Sequence, residues 1–344
     1  MKKNKFRISK LFQPQYLLIW ILLLMVLVFS YLSEPFRSPE NLLEIVRSAC
    51  INAVLVLGLT WIVAMGEIDV TFPDIAALGS MVTALCVFNG LSWGLSILIA
   101  LAVGVIFGLF SGVLINVFKF RSLIATIGVA TIAKSTAYIL GQGTPIYLPK
   151  VSPSVYLIVY GKLDFNFFGK NIGIPILFLV VLALYLVAAF LQNQTKLGQY
   201  LYALGENRQA ALEAGIPEKP IIFSFFVLSA MLAAAGGVMN VATYSSGQPN
   251  FQGTYFVDGL TAVFLGALVI KAGKPNVIGT LIGAILIMVL GNAMTLLGVP
   301  FYIGLIIKGI LMLVGVTVIA LSKVQVMQRR RAERKLEGVP VPAD

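Results

Sequence analysis

Ten apolar stretches recur along this 344-residue chain, and its lysines and arginines sort almost entirely onto alternate linkers between them. A transmembrane helix needs about 20 apolar residues. The stretches lie at about 16–32, 42–64, 74–89, 94–117, 122–140, 173–191, 221–243, 258–270, 276–297 and 302–321. A soluble core of this size would have to bury nearly all of its apolar surface. With 59% hydrophobic and 11% charged residues and a mean hydropathy of +0.95, the chain lies far from soluble usage. The pattern predicts an all-α polytopic membrane protein of about ten transmembrane helices. The third and eighth stretches are short, which suggests broken or re-entrant helices.

Orientation follows from the basic residues, because the side that retains Lys and Arg is the cytoplasm. With the N-terminus inside, Lys2, Lys3, Lys5, Arg7, Lys10, Lys119, Arg121, Lys196, Arg208, Lys219, Lys271, Lys274, Lys323, Arg329, Arg330, Arg331, Arg334 and Lys335 are cytoplasmic. Only Arg37, Lys150, Lys162 and Lys170 fall outside, so both termini are expected inside. The net charge of +11 is then a topology signal and not a nucleic-acid footprint. The expected organisation is a basic tail over 1–15, a transmembrane domain over 16–322 with a large cytoplasmic loop at 192–220, and a basic tail over 323–344. The exit of the first stretch, Ser30-Tyr31-Leu32-Ser33-Glu34, carries no small-x-small cleavage site, so the first helix is expected to be uncleaved.

Cys50 and Cys86 lack metal-ligand or Cys-x-x-Cys spacing and read as apolar filler, and the chain has no histidine. No metal or cofactor is expected. The longest outside segment, 142–172, with Pro145, Pro149, Pro153 and Gly161, suits a lid or docking surface as well as an inert connector.

Two regions share a scheme. Residues 107–134 hold a small-residue-rich span, a short basic turn and a span with an interior lysine, and residues 277–308 repeat it. Gly279, Gly283 and Gly291 match Gly104, Gly108 and Gly112, and Lys308 matches Lys134. Asp74 and Asp258 open the third and eighth spans. The matched spans run in opposite directions, which predicts an inverted repeat, an arrangement that places substrate paths where broken helices meet.

Two polar interruptions stand out. Gly66-Glu67-Ile68-Asp69-Val70-Thr71-Phe72-Pro73-Asp74 precedes the third span, with Thr71 placed as a helix cap and the helix dipole pointing at the segment. Tyr244-Ser245-Ser246-Gly247-Gln248-Pro249-Asn250 precedes the eighth span on the opposite side. Hydroxyl and amide groups there can exchange hydrogen bonds with a hydroxylated solute, or form a solvated turn. Glu67, Asp69, Thr71, Asn240, Gln248 and Asp258 are therefore the candidate substrate-path residues. Lys134, Lys308, Asn52, Asn116, Asn240 and Asn292 are costly in lipid and should face other helices or an aqueous path. Glu44 and Arg47, three apart, can pair on one helix face.

In the loop 192–220, strong helix formers run over 208–214 before Gly215, so a short helix on the cytoplasmic face is expected. Residues 203–215 of that loop, Ser245-Ser246-Gly247-Gln248-Pro249, Ile278-Gly279-Thr280-Leu281-Ile282-Gly283-Ala284 and Leu296-Leu297-Gly298-Val299 together resemble the ribose-type permease subunits of bacterial ABC importers. The resemblance covers roughly 42–322. It implies a dimer of permeases, a cytoplasmic ATPase and an extracytoplasmic sugar-binding protein. By the same resemblance Glu206, Asn207, Arg208, Gln209, Ala210, Ala211 and Gly215 form the helix that docks on the ATPase. Asp69 matches the Asp of the family's Gly-Gly-Ile-Asp-Leu-Ser pattern. Glu67 replaces that pattern's second glycine, Pro73 and Asp74 replace Gly and Ser, and Arg208 replaces a coupling-loop Glu. After the eighth span, Leu265-Gly266-Ala267-Leu268-Val269-Ile270-Lys271-Ala272-Gly273-Lys274-Pro275 lacks three of the family's glycines. These departures fit a divergent branch carrying a different sugar or polyol.

No Gly-x-x-x-x-Gly-Lys-Ser/Thr phosphate loop occurs, so ATP would be hydrolysed by another chain. The expected function is the permease subunit of an ATP-driven importer of a small hydroxylated solute in the bacterial cytoplasmic membrane, and not an enzyme. The rivals are an ion-coupled secondary transporter, for which Glu67 and Asp69 would be natural, or the same importer class carrying a nucleoside, autoinducer or branched-chain amino acid.

Overall fold

The computed structural model describes residues 16–167, 170–270 and 273–336. The basic tail 1–15, Lys271 and Ala272, and the last eight residues lie outside the described residues. Helices dominate: α1 (Leu17–Leu32), α2 (Pro39–Ala64), α3 (Phe72–Phe88), α4 (Trp93–Asn116), α5 (Ser122–Leu140), α6 (Pro153–Tyr160), α7 (Ile176–Gln194), α8 (Lys196–Glu206), α9 (Arg208–Glu213), α10 (Glu218–Tyr244), α11 (Gln252–Gly266), α12 (Val277–Leu296) and α13 (Phe301–Leu336). Two small antiparallel sheets complete the described residues: β1 (Ile146–Tyr147) pairs with β4 (Ser246–Gly247), and β2 (Lys162–Phe167) with β3 (Lys170–Pro175).

Seven helices (α2, α4, α5, α7, α10, α12 and residues 301–321 of α13) are long and apolar enough to cross a bilayer, and α1, α3 and α11 are shorter apolar helices. Together they are the ten expected spans. The third and eighth are short for a visible reason: each follows a non-helical segment, at 65–71 and 245–251, that ends the long helix before it. The eighth begins earlier than expected. Because α11 starts at Gln252, Asp258 lies inside the helix and does not open it as Asp74 does α3.

At the centre α2 lies against α10. Gly58 meets Ser229 and Leu55 meets Gly236, so position rises along one helix as it falls along the other, and the two are antiparallel. The small residues let the backbones approach closely, which matters because lipid supplies no hydrophobic drive between helices. From Cys50 to Ile62 every residue of α2 is buried. Around this pair the contacts have a two-fold pattern. Helix α3 packs on α4 and α5, as α11 packs on α12 and α13, while α10 packs on α3 and α4 as α2 packs on α11 and α12. That is the arrangement an inverted repeat produces. The matched glycines, however, occupy different faces. Gly104, Gly108 and Gly112 of α4 abut α10, whereas Gly279 and Gly283 of α12 abut α11 and Gly291 faces the end of Lys308. The glycine match is thus a shared packing habit and not a symmetry relation.

The segment 142–172 is structured beyond expectation, carrying α6 and a hairpin. Tyr160 of α6 donates to the Thr243 carbonyl at the end of α10 (2.5 Å), and Arg47 lies 4.6 Å above its ring. The loop 192–220 likewise holds a second helix, α8, ahead of the expected one. Helix α13 runs on to Leu336, so the expected C-terminal tail begins as helix.

Candidate functional site

The short helix α9 is built as a separate, capped unit. Asn207 leaves the helical region and its side-chain oxygen accepts from the Ala210 N–H at 3.1 Å. At the other end Gly215 adopts a φ of +79°, a left-handed value that suits glycine and closes the helix, and Ile216 N–H returns to the Ala211 carbonyl. Gln209, Ala210, Leu212 and Glu213 are exposed, whereas Ala211 is buried in the protein's own core. Ala211 therefore seats α9 against the membrane helices. Helix α8 is held against the end of α2 and the residues that lead into α12. Gly205 abuts the Ala64 carbonyl so closely that a Cβ has no room, Tyr202 donates to the Pro275 carbonyl at 2.9 Å, and Glu206 pairs with Lys274.

Arg208, the first residue of α9, bridges two elements. Its Nη1 donates to Glu67 Oε1 at 2.6 Å, and its Nε donates to Glu218 Oε1 at 2.7 Å, with Nη2 on the same oxygen. Burial works against its charge, but Glu218 and Glu67 outweigh that and hold the guanidinium above its ordinary pKa. Glu67 belongs to the segment 65–71, and Glu218 opens α10. Both sequence departures of opposite sign thus meet in one ion pair.

The segment 65–71 is wired inward as well. Gly66, with a φ of +80°, makes the turn out of α2. Asp69, 1% exposed, accepts from the Thr71 N–H (2.8 Å) and hydroxyl (2.6 Å) through Oδ1, and from the Ser229 hydroxyl of α10 (3.1 Å) through Oδ2. Thr71 stands at the N-cap of α3, yet its hydroxyl serves Asp69 and caps nothing. Ile68 N–H donates to Ser122 Oγ at the start of α5 (3.2 Å). One irregular segment therefore touches α9, α10 and α5.

The second interruption is also structured. Ser245, with a φ of +54°, ends α10, and Gln248 N–H donates to Ser80 Oγ of α3 (3.0 Å) while its Nε2 donates to Ser246 Oγ (3.0 Å). It lies at the far end of α10 from Glu218. Asn240, 3% exposed, has an Oδ1 without a hydrogen-bond partner among the described residues. Asp258 and Lys308 form a buried pair, with Nζ 2.8 Å from Oδ1 and 3.0 Å from Oδ2. Lys134 lies on α5, which packs on the short helix α3, as Lys308 lies on α13, which packs on the short helix α11. Of the six substrate-path candidates, Glu67, Asp69 and Thr71 share the segment 65–71, whereas Asn240, Gln248 and Asp258 belong to α10, the segment 245–251 and α11.

Asn292 exchanges two amide hydrogen bonds with Asn41 (3.0 and 2.8 Å), and Arg47 pairs with Glu44 at 2.5 Å, as their positions suggested. Asn52 is fully buried and neither side-chain polar atom has a partner among the described residues. Ser229, Ser122 and Glu218 were not foreseen. Serines in apolar helices commonly bond their own backbone, so nothing in sequence distinguishes Ser229.

Residues 41–316 match the family described as branched-chain amino acid transport system / permease component. The ribose import permease of Haemophilus influenzae is 30% identical over 319 residues, covering 92% of this chain and 97% of that one. The ribose import permease of Bacillus subtilis is 30% identical over 297 residues (86% and 89%), and the D-allose transport system permease of Escherichia coli is 27% identical over 311 (89% and 91%). Among solved structures, one described as a metal-chelate type ABC transporter in an inward-facing conformation is similar in fold. It has a TM-score of 0.52 and 16% identity, with coverage of 87% of this chain and 98% of that one.

Proposed function

Because this chain belongs to the family of branched-chain amino acid transport system permease components, we propose that it moves a monosaccharide or polyol across the membrane under the power of a partner ATPase. It is a multi-pass protein of the inner membrane. The sugar reading is supported by the names of the relatives, which the chain matches over nearly their whole length. The partners of this reading are a cytoplasmic ABC ATPase, an extracytoplasmic solute-binding protein and a second permease subunit. Both termini and the loop 192–220 lie in the cytoplasm, and residues 16–322 form the permease domain.

The observation that carries the mechanism is the Arg208 bridge. A partner closing on ATP pushes α9, which is exposed on Gln209, Ala210, Leu212 and Glu213. Arg208 passes that displacement to Glu67 and Glu218 together. Through Asp69 and Ser229 the segment 65–71 moves with α10, and through Ser122 with α5. Packed helices answer such a push by shifting as rigid bodies, which supports rocking of one half against the other between outward and inward access. Glu67, Asp69 and Thr71 then belong to the gate's linkage, and Asn240, Gln248 and Asp258 remain the proposed solute-facing groups.

A photo-crosslinking residue at Leu212, exposed on α9, tests the docking. In native membranes it should capture a nucleotide-hydrolysing subunit. Capture of no such subunit, with uptake intact, overturns the reading.

A further inference from the structure

A cavity of about 290 Å³ opens between α2, α7, α8 and α10 beside the coupling helix, with Trp61, Leu191, Gln192, Leu197, Ser224 and Phe225 in its wall. The wall is almost wholly apolar and groups from the last turn of α7, the first of α8 and the first turns of α10 meet there. Its one deeply buried amide is Gln192, 3% exposed. Gln192 Oε1 accepts from Val277 N–H at 2.8 Å, where α12 begins. A carboxamide is planar, so holding the oxygen fixes where the NH₂ points. Nε2 then has no acceptor among the described residues. A buried donor left in this state calls for an acceptor from outside the chain.

Two lysines neighbour the wall along the chain. Lys196 directly precedes Leu197, and Lys219 directly precedes Pro220, another wall residue; both lysines are exposed. An apolar wall, a lone buried amide donor and two exposed ammonium groups next to wall residues match one kind of molecule. We propose that this cavity binds an anionic phospholipid, part of one acyl chain inside, an ester oxygen on Gln192 and the phosphate near Lys196 and Lys219. Basic pockets at the membrane ends of helices take such head groups. The bound lipid would brace α8 and the start of α10 against each other, on either side of α9. The assignment concerns binding alone and stands apart from the transport reading.

Native mass spectrometry of the full-length protein in detergent tests it, with dioleoyl phosphatidylglycerol or dioleoyl phosphatidylcholine as the added lipid. Phosphatidylglycerol should bind at least tenfold tighter. Lys196→Gln with Lys219→Gln should lower phosphatidylglycerol to the phosphatidylcholine level, and Ser224→Trp, at an exposed position that fills the cavity, should remove the bound lipid. Leu197→Phe gives a milder filling variant if Ser224→Trp fails to purify as a single species. Equal affinity for the two lipids, or unchanged phosphatidylglycerol binding in the lysine or filling variants, overturns the proposal.

Discussion

Removing the Arg208 guanidinium should loosen the joint between α9 and the membrane helices while leaving the fold in place. Hydrogen bonds to charged groups contribute about 1.5–3 kcal/mol. The Arg208 side chain is 51% exposed, however, against 10% for Glu67 and 17% for Glu218. Solvent screening pulls the contribution toward the ~0–1 kcal/mol of surface pairs, so Arg208→Ala should cost about 1–2 kcal/mol, a factor of roughly 5–30 in the population of the joined state. Arg208→Glu should cost more, because it sets three carboxylates together. Adding Glu67→Arg to Arg208→Glu restores opposite charges across the gap and should recover part of the loss. The assay is solute taken up per ATP hydrolysed, in proteoliposomes holding the permease, its ATPase and its binding protein. Hydrolysis should persist in Arg208→Ala while uptake per ATP falls. Wild-type coupling in both single variants, or a double variant no better than Arg208→Glu, would refute the relay.

Lys308→Met strands the buried Asp258 carboxylate and should destabilise the protein by about 3–5 kcal/mol, whereas Lys308→Met with Asp258→Asn should recover most of that; thermal unfolding in detergent reads both. Asp69→Ala frees Thr71 and unpairs Ser229, so uptake should drop while the ATPase stays bound in co-purification. Gln248→Ala should slow uptake with ATPase binding likewise kept, and normal uptake kinetics would remove it from the path. Gly205→Ala drives a Cβ into the Ala64 carbonyl and should lower stability by about 1–3 kcal/mol, seen as an earlier unfolding transition.

The helices of the membrane domain were legible because bilayer thickness sets one length scale, and apolar runs of that length have few other fates. The breaks at 65–71 and 245–251 were legible as polar residues set between apolar ones. The start of α11 was not, since Gln252 and Gly253 give a weak helix signal and Phe251 ahead of them supplies no side-chain cap. Helix α8 was hidden because it is held by contacts distant in sequence, Gly205 on Ala64 and Tyr202 on Pro275. The site was half legible. Glu67 and Arg208 each stood out as a departure from a family pattern, but a separation of 141 residues gives no cue that they touch. Ala211 read as part of a docking face, and only the buried side of α9 shows which way it points. The match of Lys134 to Lys308 was visible in order along the chain, because intramembrane charge is rare, but the pairing of Lys308 with Asp258, 50 residues away, was not.

Uptake by proteoliposomes is the most direct test of a gate driven by another chain's nucleotide hydrolysis. With the purified permease, the account predicts solute entry only when ATP, the partner ATPase and the solute-binding protein are all supplied. Entry driven by a proton or sodium gradient alone, with none of the three present, would contradict it.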